Sequence, residues 1–244
     1  MATARFTFDD SLAEFLPRER RHSQFEYACA RAATLKNAIE ALGVPHTEAA
    51  RILVNGTPAT LDRIVRERDF IEVRAWECQP LASPPRFVAD AHLGGLARFL
   101  RMLGYDTLHE NALADAEIRR LAREERRIVL TRDRELLKCR EIFLGCYVRA
   151  LKSEAQVREV AARFDLAAQA RPFTLCLCCN LPLEQAAEEQ ARAYAPPAVL
   201  DQYRVFHRCP GCARIYWEGS HFARMQAVLV DRLGVPAAPQ QQQD

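Results

Sequence analysis

The spacing of apolar residues along the chain changes several times, and each change marks an element. Arg5-Phe6-Thr7-Phe8 and Phe25-Glu26-Tyr27-Ala28 alternate at every second residue, the period of a half-buried strand. Leu35, Ala38, Ile39 and Leu42 then recur at helical spacing, with Thr34 placed to cap that helix and Gly43 to close it. Ile52-Leu53-Val54 is a strand running into Asn55-Gly56, a strong hairpin signal, and Phe70-Ile71-Glu72-Val73 is another strand. From residue 86 strands and helices take turns. Phe87-Val88-Ala89 is a short buried strand, followed by Leu93, Leu96, Ala97, Leu100 and Leu103 on one helical face that ends at Gly104. Tyr105–Leu108 reads as a strand, 116–125 as a helix with Ile118, Leu121 and Ala122 inside, and Ile128–Thr131 as a third strand. Cys146-Tyr147-Val148 is a fourth, and Ser153 caps a helix carrying Val157, Val160, Ala161 and Phe164. Strands alternating with helices imply a parallel sheet covered on both faces.

The order ββαββ over residues 1–78 resembles ubiquitin-like sulfur carriers, which implies a β-grasp fold. Those carriers end in an activated Gly-Gly tail, whereas this unit ends in Arg74-Ala75-Trp76-Glu77-Cys78. The resemblance therefore implies the fold and not sulfur transfer, and the unit is expected to dock a protein partner or position RNA. Pro80, Ser83, Pro84 and Pro85 make 79–85 a linker, and 236–244, with Gln240 to Gln243, is expected to be disordered. The expected architecture is α/β: a ubiquitin-like domain at 1–78, a parallel-sheet domain at 86–170 and a zinc ribbon at 171–235.

Composition narrows the class. Hydrophobic residues make up 49% and charged residues 27% of the 244, ordinary values for a soluble globular chain. No apolar run approaches the roughly 20 residues that span a bilayer, and Met1-Ala2-Thr3-Ala4-Arg5 shows no export signal. The expectation is a cytoplasmic protein with no membrane partner. A net charge of +2 does not by itself mark a nucleic-acid binder, although arginine is concentrated from Arg98 to Arg140.

Nine cysteines, four of them in two C-x-x-C pairs, favour metal over disulfides in such a chain. Cys176 with Cys179, and Cys209 with Cys212, form two knuckles that complete a tetrahedral shell for one structural zinc. Cys178 and His207 are weaker alternative ligands. Gly211 is expected to permit the tight backbone of the second knuckle.

Carboxylates supply the other candidate chemistry. Asp90 follows the first strand of the second domain, Asp133 follows the third, and Asp115 opens the helix between them. Ligands bind outside the carboxyl ends of strands in open α/β sheets. Acids gathered there repel one another unless a hard cation, Mg²⁺ or Mn²⁺, lies between them. Helix capping is the competing role, and it is the stronger one for Asp115 taken singly.

At Phe87–Gly94, Leu96–Asp106 and Ile128–Asp133 the sequence resembles the Mut-seven C-terminal ribonuclease domain, a shortened relative of the PIN nucleases. Bacterial members of that family are similar throughout, with a ubiquitin-like unit, a PIN-like unit and a zinc ribbon. The resemblance implies cleavage of RNA through Mg²⁺ or Mn²⁺ at Asp90, Asp115 and Asp133. Asp106 also falls on the family motif and is read as structural or as a support behind the metal-binding acids, and Glu110 is the nearest candidate for a fourth acid. Arg98, Arg101 and Arg132 are expected to contact RNA phosphates, while Arg119, Arg120, Arg123 and Arg126 read as a solvated helix face. Tyr216 and Trp217 either stack RNA bases or pack against the ribbon. The alternative to an enzyme is a non-catalytic RNA-binding or protein-interaction adaptor that keeps the PIN-like scaffold.

Overall fold

A computed structural model describes residues 1–78 and 81–233. The tail expected at 236–244 lies outside the described residues, and so do the first two residues of the expected linker. The first 78 residues contain β1 (Ala2–Phe8), β2 (Phe25–Cys29), α1 (Leu35–Ala41), β3 (Ala49–Val54), β4 (Thr57–Ala59) and β5 (Phe70–Ala75). Then come β6 (Phe87–Ala89), α2 (Gly94–Met102), β7 (Thr107–Leu108), α3 (Asp115–Glu124), β8 (Ile128–Thr131), α4 (Arg134–Leu137), β9 (Gly145–Tyr147) and α5 (Ser153–Phe164). The last elements are β10 (Glu184–Gln185), α6 (Glu188–Arg192), α7 (Pro197–Gln202), β11 (His207–Arg208), β12 (Ile215–Tyr216) and α8 (Ser220–Leu233).

Compactness divides these elements differently from the sequence boundaries. One unit joins Met1–Cys78 with Leu113–Val148, and the other joins Gln79–Ala112 with Arg149–Asp244.

In the first unit, five strands form a sheet in the order β2-β1-β5-β3-β4, with β1 parallel to β5 and the other pairs antiparallel. Phe6 and Ile71 project from neighbouring strands onto Leu35 and Ile39 of α1, and all four are fully buried. Each such side chain contributes about 1.5–3 kcal/mol by leaving water. α1 begins as its sequence suggests. The Thr34 hydroxyl accepts from the Asn37 amide at 3.2 Å, and the Asn37 side chain accepts from the Thr34 amide at 3.4 Å. The hairpin also forms, with positive φ at both Asn55 (53°) and Gly56 (78°). Its return strand β4 is not foreseen from the sequence because Pro58 argues against a strand, and the sheet tolerates it by placing β4 at an edge.

The same unit contains β8 and β9, paired in parallel through Val129–Gly145, Leu130–Cys146 and Thr131–Tyr147. The ubiquitin-like residues grip this segment at several points. Lys36 Nζ donates to the Lys138 carbonyl at 3.0 Å, His46 Nε2 meets the Ile142 carbonyl at 2.9 Å, and the Tyr147 amide donates to Glu48 Oε1 at 2.9 Å.

In the second unit, β6 and β7 pair in parallel through Phe87–Thr107 and Val88–Leu108. Leu96, Ala97 and Leu100 of α2 are buried, as the apolar stripe requires. The helix stops at Gly104, where φ is +87° and a Cβ would lie 2.1 Å from the Arg171 carbonyl oxygen. Only glycine suits both the backbone angle and the close approach. Ser153 is not the cap of α5: Lys152 holds that position, and its side chain makes no capping bond. Three short antiparallel strands, β10-β11-β12, form the ribbon, and Ala191, Ala195 and Phe206 make a small apolar cluster between its knuckles.

Candidate functional site

The two knuckles are copies of one loop. The Asn180 amide donates to the Cys176 carbonyl at 2.9 Å, and the Ala213 amide donates to the Cys209 carbonyl at 3.0 Å. The residue after each second cysteine is left-handed, with φ of 63° at Asn180 and 59° at Ala213. The positive φ of the second knuckle therefore falls on Ala213 and not on Gly211. What Gly211 supplies is room, since a Cβ there would lie 2.6 Å from Leu181 Cδ1.

These loops bring the sulfurs of Cys176, Cys179, Cys209 and Cys212 within 4.8 Å of one another. Cys176 and Cys209 are buried, and Cys178, the rival to Cys179, is exposed. Burial pushes the Cys176 thiol up, but the Tyr216 hydroxyl at 3.2 Å and the amides of Cys179 and Cys178 outweigh it, bringing it to about 7. Burial raises the Cys209 thiol, and the neighbouring Cys212 side chain, followed by burial, raises that of Cys179. Four thiolates at this separation need a cation between them. The all-sulfur set of four donors, with an N–H of Cys179 already 3.3 Å from Cys176 Sγ, fits Zn²⁺ in a structural role.

The first knuckle is tied to α2 and β7. Arg101 Nη1 donates to the carbonyls of Leu177 (3.1 Å) and Cys178 (2.8 Å), and its Nε donates to the Thr107 carbonyl at 2.9 Å. The Asn180 side chain bridges as well, accepting from the Thr107 amide at 2.9 Å and donating to Asp106 Oδ1 at 2.6 Å. Asp106 thus has the structural contact expected of it. Arg101, expected on RNA phosphate, is only 5% exposed, and we assign it as a strut between helix and knuckle. The sequence misleads at this position because a residue off the apolar stripe at a helix end resembles a solvated one. Asn180 carries a usable signal, since asparagine tolerates the left-handed region that ends a knuckle.

The acids are distributed. Asp90, half-buried, follows β6 in the second unit, and its Oδ1 accepts from the Ala91 amide at 2.6 Å. Asp133, exposed, follows β8 in the first unit and caps α4, with Oδ1 accepting from the Glu135 (2.7 Å) and Leu136 (3.2 Å) amides. Asp115 is the first residue of α3 and makes no capping bond; Ala114 holds the cap position. The capping role therefore belongs to Asp90 and Asp133, the reverse of the single-residue expectation. Among the described residues, the grouping of three or more metal-ligating side chains is the cysteine quartet.

Arg98 and Arg132 are exposed. On α3, Arg120 pairs with Glu117 (2.6 Å) and Glu124 (2.7 Å), and Arg123 pairs with Glu124 (2.8 Å), as expected of a solvated face. The Tyr216 hydroxyl is engaged with Cys176 and Trp217 packs on the small apolar cluster, so both aromatics serve the ribbon. No described helix is long and apolar enough to cross a membrane.

Comparison with known proteins gives two family matches. Residues 1–79 match the family described as Mut7-C ubiquitin, and residues 85–229 match the one described as Mut7-C RNAse domain. No curated protein matches the chain. Among solved structures, the small archaeal modifier protein 1 of H. volcanii is similar at 20% identity with a TM-score of 0.25, over 31% of this chain and 98% of that one. With its longer match covering more than half of the chain, this protein belongs to the Mut7-C RNAse domain family and carries the Mut7-C ubiquitin unit ahead of that domain.

Proposed function

We propose that this protein is a metal-dependent ribonuclease that hydrolyses RNA phosphodiester bonds, with Asp90, Asp115 and Asp133 as its catalytic carboxylates. The observation that carries the reading is the RNAse-domain match over residues 85–229. Local placement supports it. Asp90 and Asp133 each follow a strand that has a parallel partner, on the side where α/β sheets bind ligands. Asp115 begins α3 with its side chain free of capping duty.

A set of oxygen donors on these acids suits Mg²⁺ or Mn²⁺. Such an ion, when bound, supplies positive charge to the phosphoryl oxygens of an in-line displacement. The chain's own contribution is to aim the carboxylates. The two amides on Asp133 Oδ1 orient its carboxylate and leave Oδ2 uncommitted among the described residues. Ala91 orients Asp90 in the same manner. Arg98 and Arg132 hold RNA phosphates in this reading, without regard to base sequence. The zinc ribbon is structural, and the ubiquitin-like unit is the part that meets protein.

The test is cleavage of a panel of RNAs in Mn²⁺ by wild type and Asp90→Asn. Cleavage that is lost in the variant and in EDTA supports the proposal. Equal cleavage by both proteins counts against it, and so does RNA binding indifferent to EDTA with no cleavage, which is the behaviour of an adaptor.

A further inference from the structure

The ubiquitin-like surface formed by α1 and the turn after it is already engaged by the chain itself. Together with Phe15, which lies ahead of α1, that surface makes contacts on both sides of the short helix that Asp133 caps. At the start of that helix, Arg134 stacks its guanidinium 4.8 Å from the Phe15 ring and 5.4 Å from the Tyr147 ring. Phe15 and Tyr147 meet edge-on at 5.2 Å, so one residue of the ubiquitin-like unit holds the neighbour of Asp133. After the helix, Lys36 holds the Lys138 carbonyl. Further on, Glu48, only 2% exposed, accepts the Tyr147 amide from the strand beside β8.

A carboxylate buried this deeply is retained when its hydrogen bonds are made. Glu48 accepts from a main-chain amide outside the ubiquitin-like unit, a pattern that sheet stability within that unit does not require. Lys36 and His46 are tied back to the same unit through Glu40, at 2.7 Å each, so the two anchors share one carboxylate.

We infer that the ubiquitin-like unit works in cis as a brace that positions Asp133, with Phe15 and Glu48 as the positioning residues. The inference rests on the proposed role of Asp133.

The experiment uses the full chain and compares Glu48→Ala, Glu48→Gln, Phe15→Leu and Asp133→Asn. Phe15→Leu keeps the core filled while removing the ring beneath Arg134, and Glu48→Gln keeps an oxygen for the Tyr147 amide. Two readouts are taken: Mn²⁺ affinity by titration, and hydrogen exchange at the Glu135 and Leu136 amides that Asp133 accepts. The brace predicts that Glu48→Ala and Phe15→Leu weaken Mn²⁺ binding about 10- to 100-fold, the range for residues that orient a metal ligand. Exchange at the two amides should quicken in both, and Glu48→Gln should restore both readouts. Loss of Mn²⁺ binding in Asp133→Asn alone, with unchanged affinity and exchange in Glu48→Ala and Phe15→Leu, overturns the brace and leaves the nuclease reading standing. Unchanged Mn²⁺ binding in Asp133→Asn overturns the site itself. Amide exchange then decides the brace alone, with unchanged exchange refuting it. Should Glu48→Ala fail to fold, Phe15→Leu supports or refutes the brace by the same two readouts.

Discussion

In the ribbon, the metal-binding side chains arrive two at a time on loops of four residues, and both loops have the same internal hydrogen bond. The acids arrive singly, from the ends of two strands and the start of a helix, in segments assigned to two compact units. The first design encodes convergence locally: the turn that joins Cys176 to Cys179 has already placed two sulfurs. For the acids, the local chain fixes only orientation, through the amides that hold Asp90 and Asp133, and no short loop carries two of them together. A local centre should fail as a whole when one ligand goes, whereas a distributed one should fail in function before it fails in fold.

The strongest way to break that contrast is Cys209→Ser. Structural zinc in small domains contributes about 10–16 kcal/mol of apparent binding energy at neutral pH. The variant should therefore lose zinc to a colorimetric chelator and lose the ribbon's circular dichroism together. Retention of one zinc per chain would mean that the centre is less closed than its geometry implies. Next in size is Arg101→Lys. A single ammonium cannot serve the Leu177, Cys178 and Thr107 carbonyls at once. Thermal unfolding should show a loss of about 1–3 kcal/mol, the range for buried carbonyls left unpaired.

Asp133 separates cap from charge. Asp133→Ala should cost about 1 kcal/mol through the lost cap and should abolish cleavage, while Asp133→Asn should keep most of the stability and still lose cleavage. Equal stability losses in the two would show that charge, and not capping, holds α4.

The next effect depends on pH. Burial pushes the Glu40 carboxyl up, but His46 and Lys36 outweigh it and hold it below the ordinary 4.5. A depressed carboxylate contributes stability that is complete above its unfolded value and is lost as pH falls through the folded one. Urea midpoints should therefore drop below about pH 4.5 in wild type and drop less in Glu40→Gln. The smallest effect is Ala213→Gly, which relieves a left-handed alanine and should raise the stability of the zinc-loaded protein by about 1 kcal/mol. No gain, or a loss, would indicate that the knuckle geometry is not strained.

Much of the molecule is legible because it is local. Leu96, Ala97 and Leu100 announce α2 by period alone, and Cys176, Cys179, Cys209 and Cys212 announce the ribbon by spacing alone. Asp133 is legible as a candidate because it follows a strand, but its capping bonds depend on α4, a helix of one turn with too few residues to show a period. Arg101 misleads for a different reason. Its burial comes from carbonyls of residues 177 and 178, far along the chain, and nothing near position 101 foretells them. The same holds for Glu48, whose partner Tyr147 is 99 residues away.

The bridge from Asn180 to Thr107 and Asp106 has a consequence for how the protein is made. Strand β7 leaves the ribosome with its first amide unpaired, and the side chain that will satisfy it follows 73 residues later. The cysteine that closes the metal shell comes later still. Chains elongate at about 5–20 residues per second, so an early strand waits several seconds for a late loop.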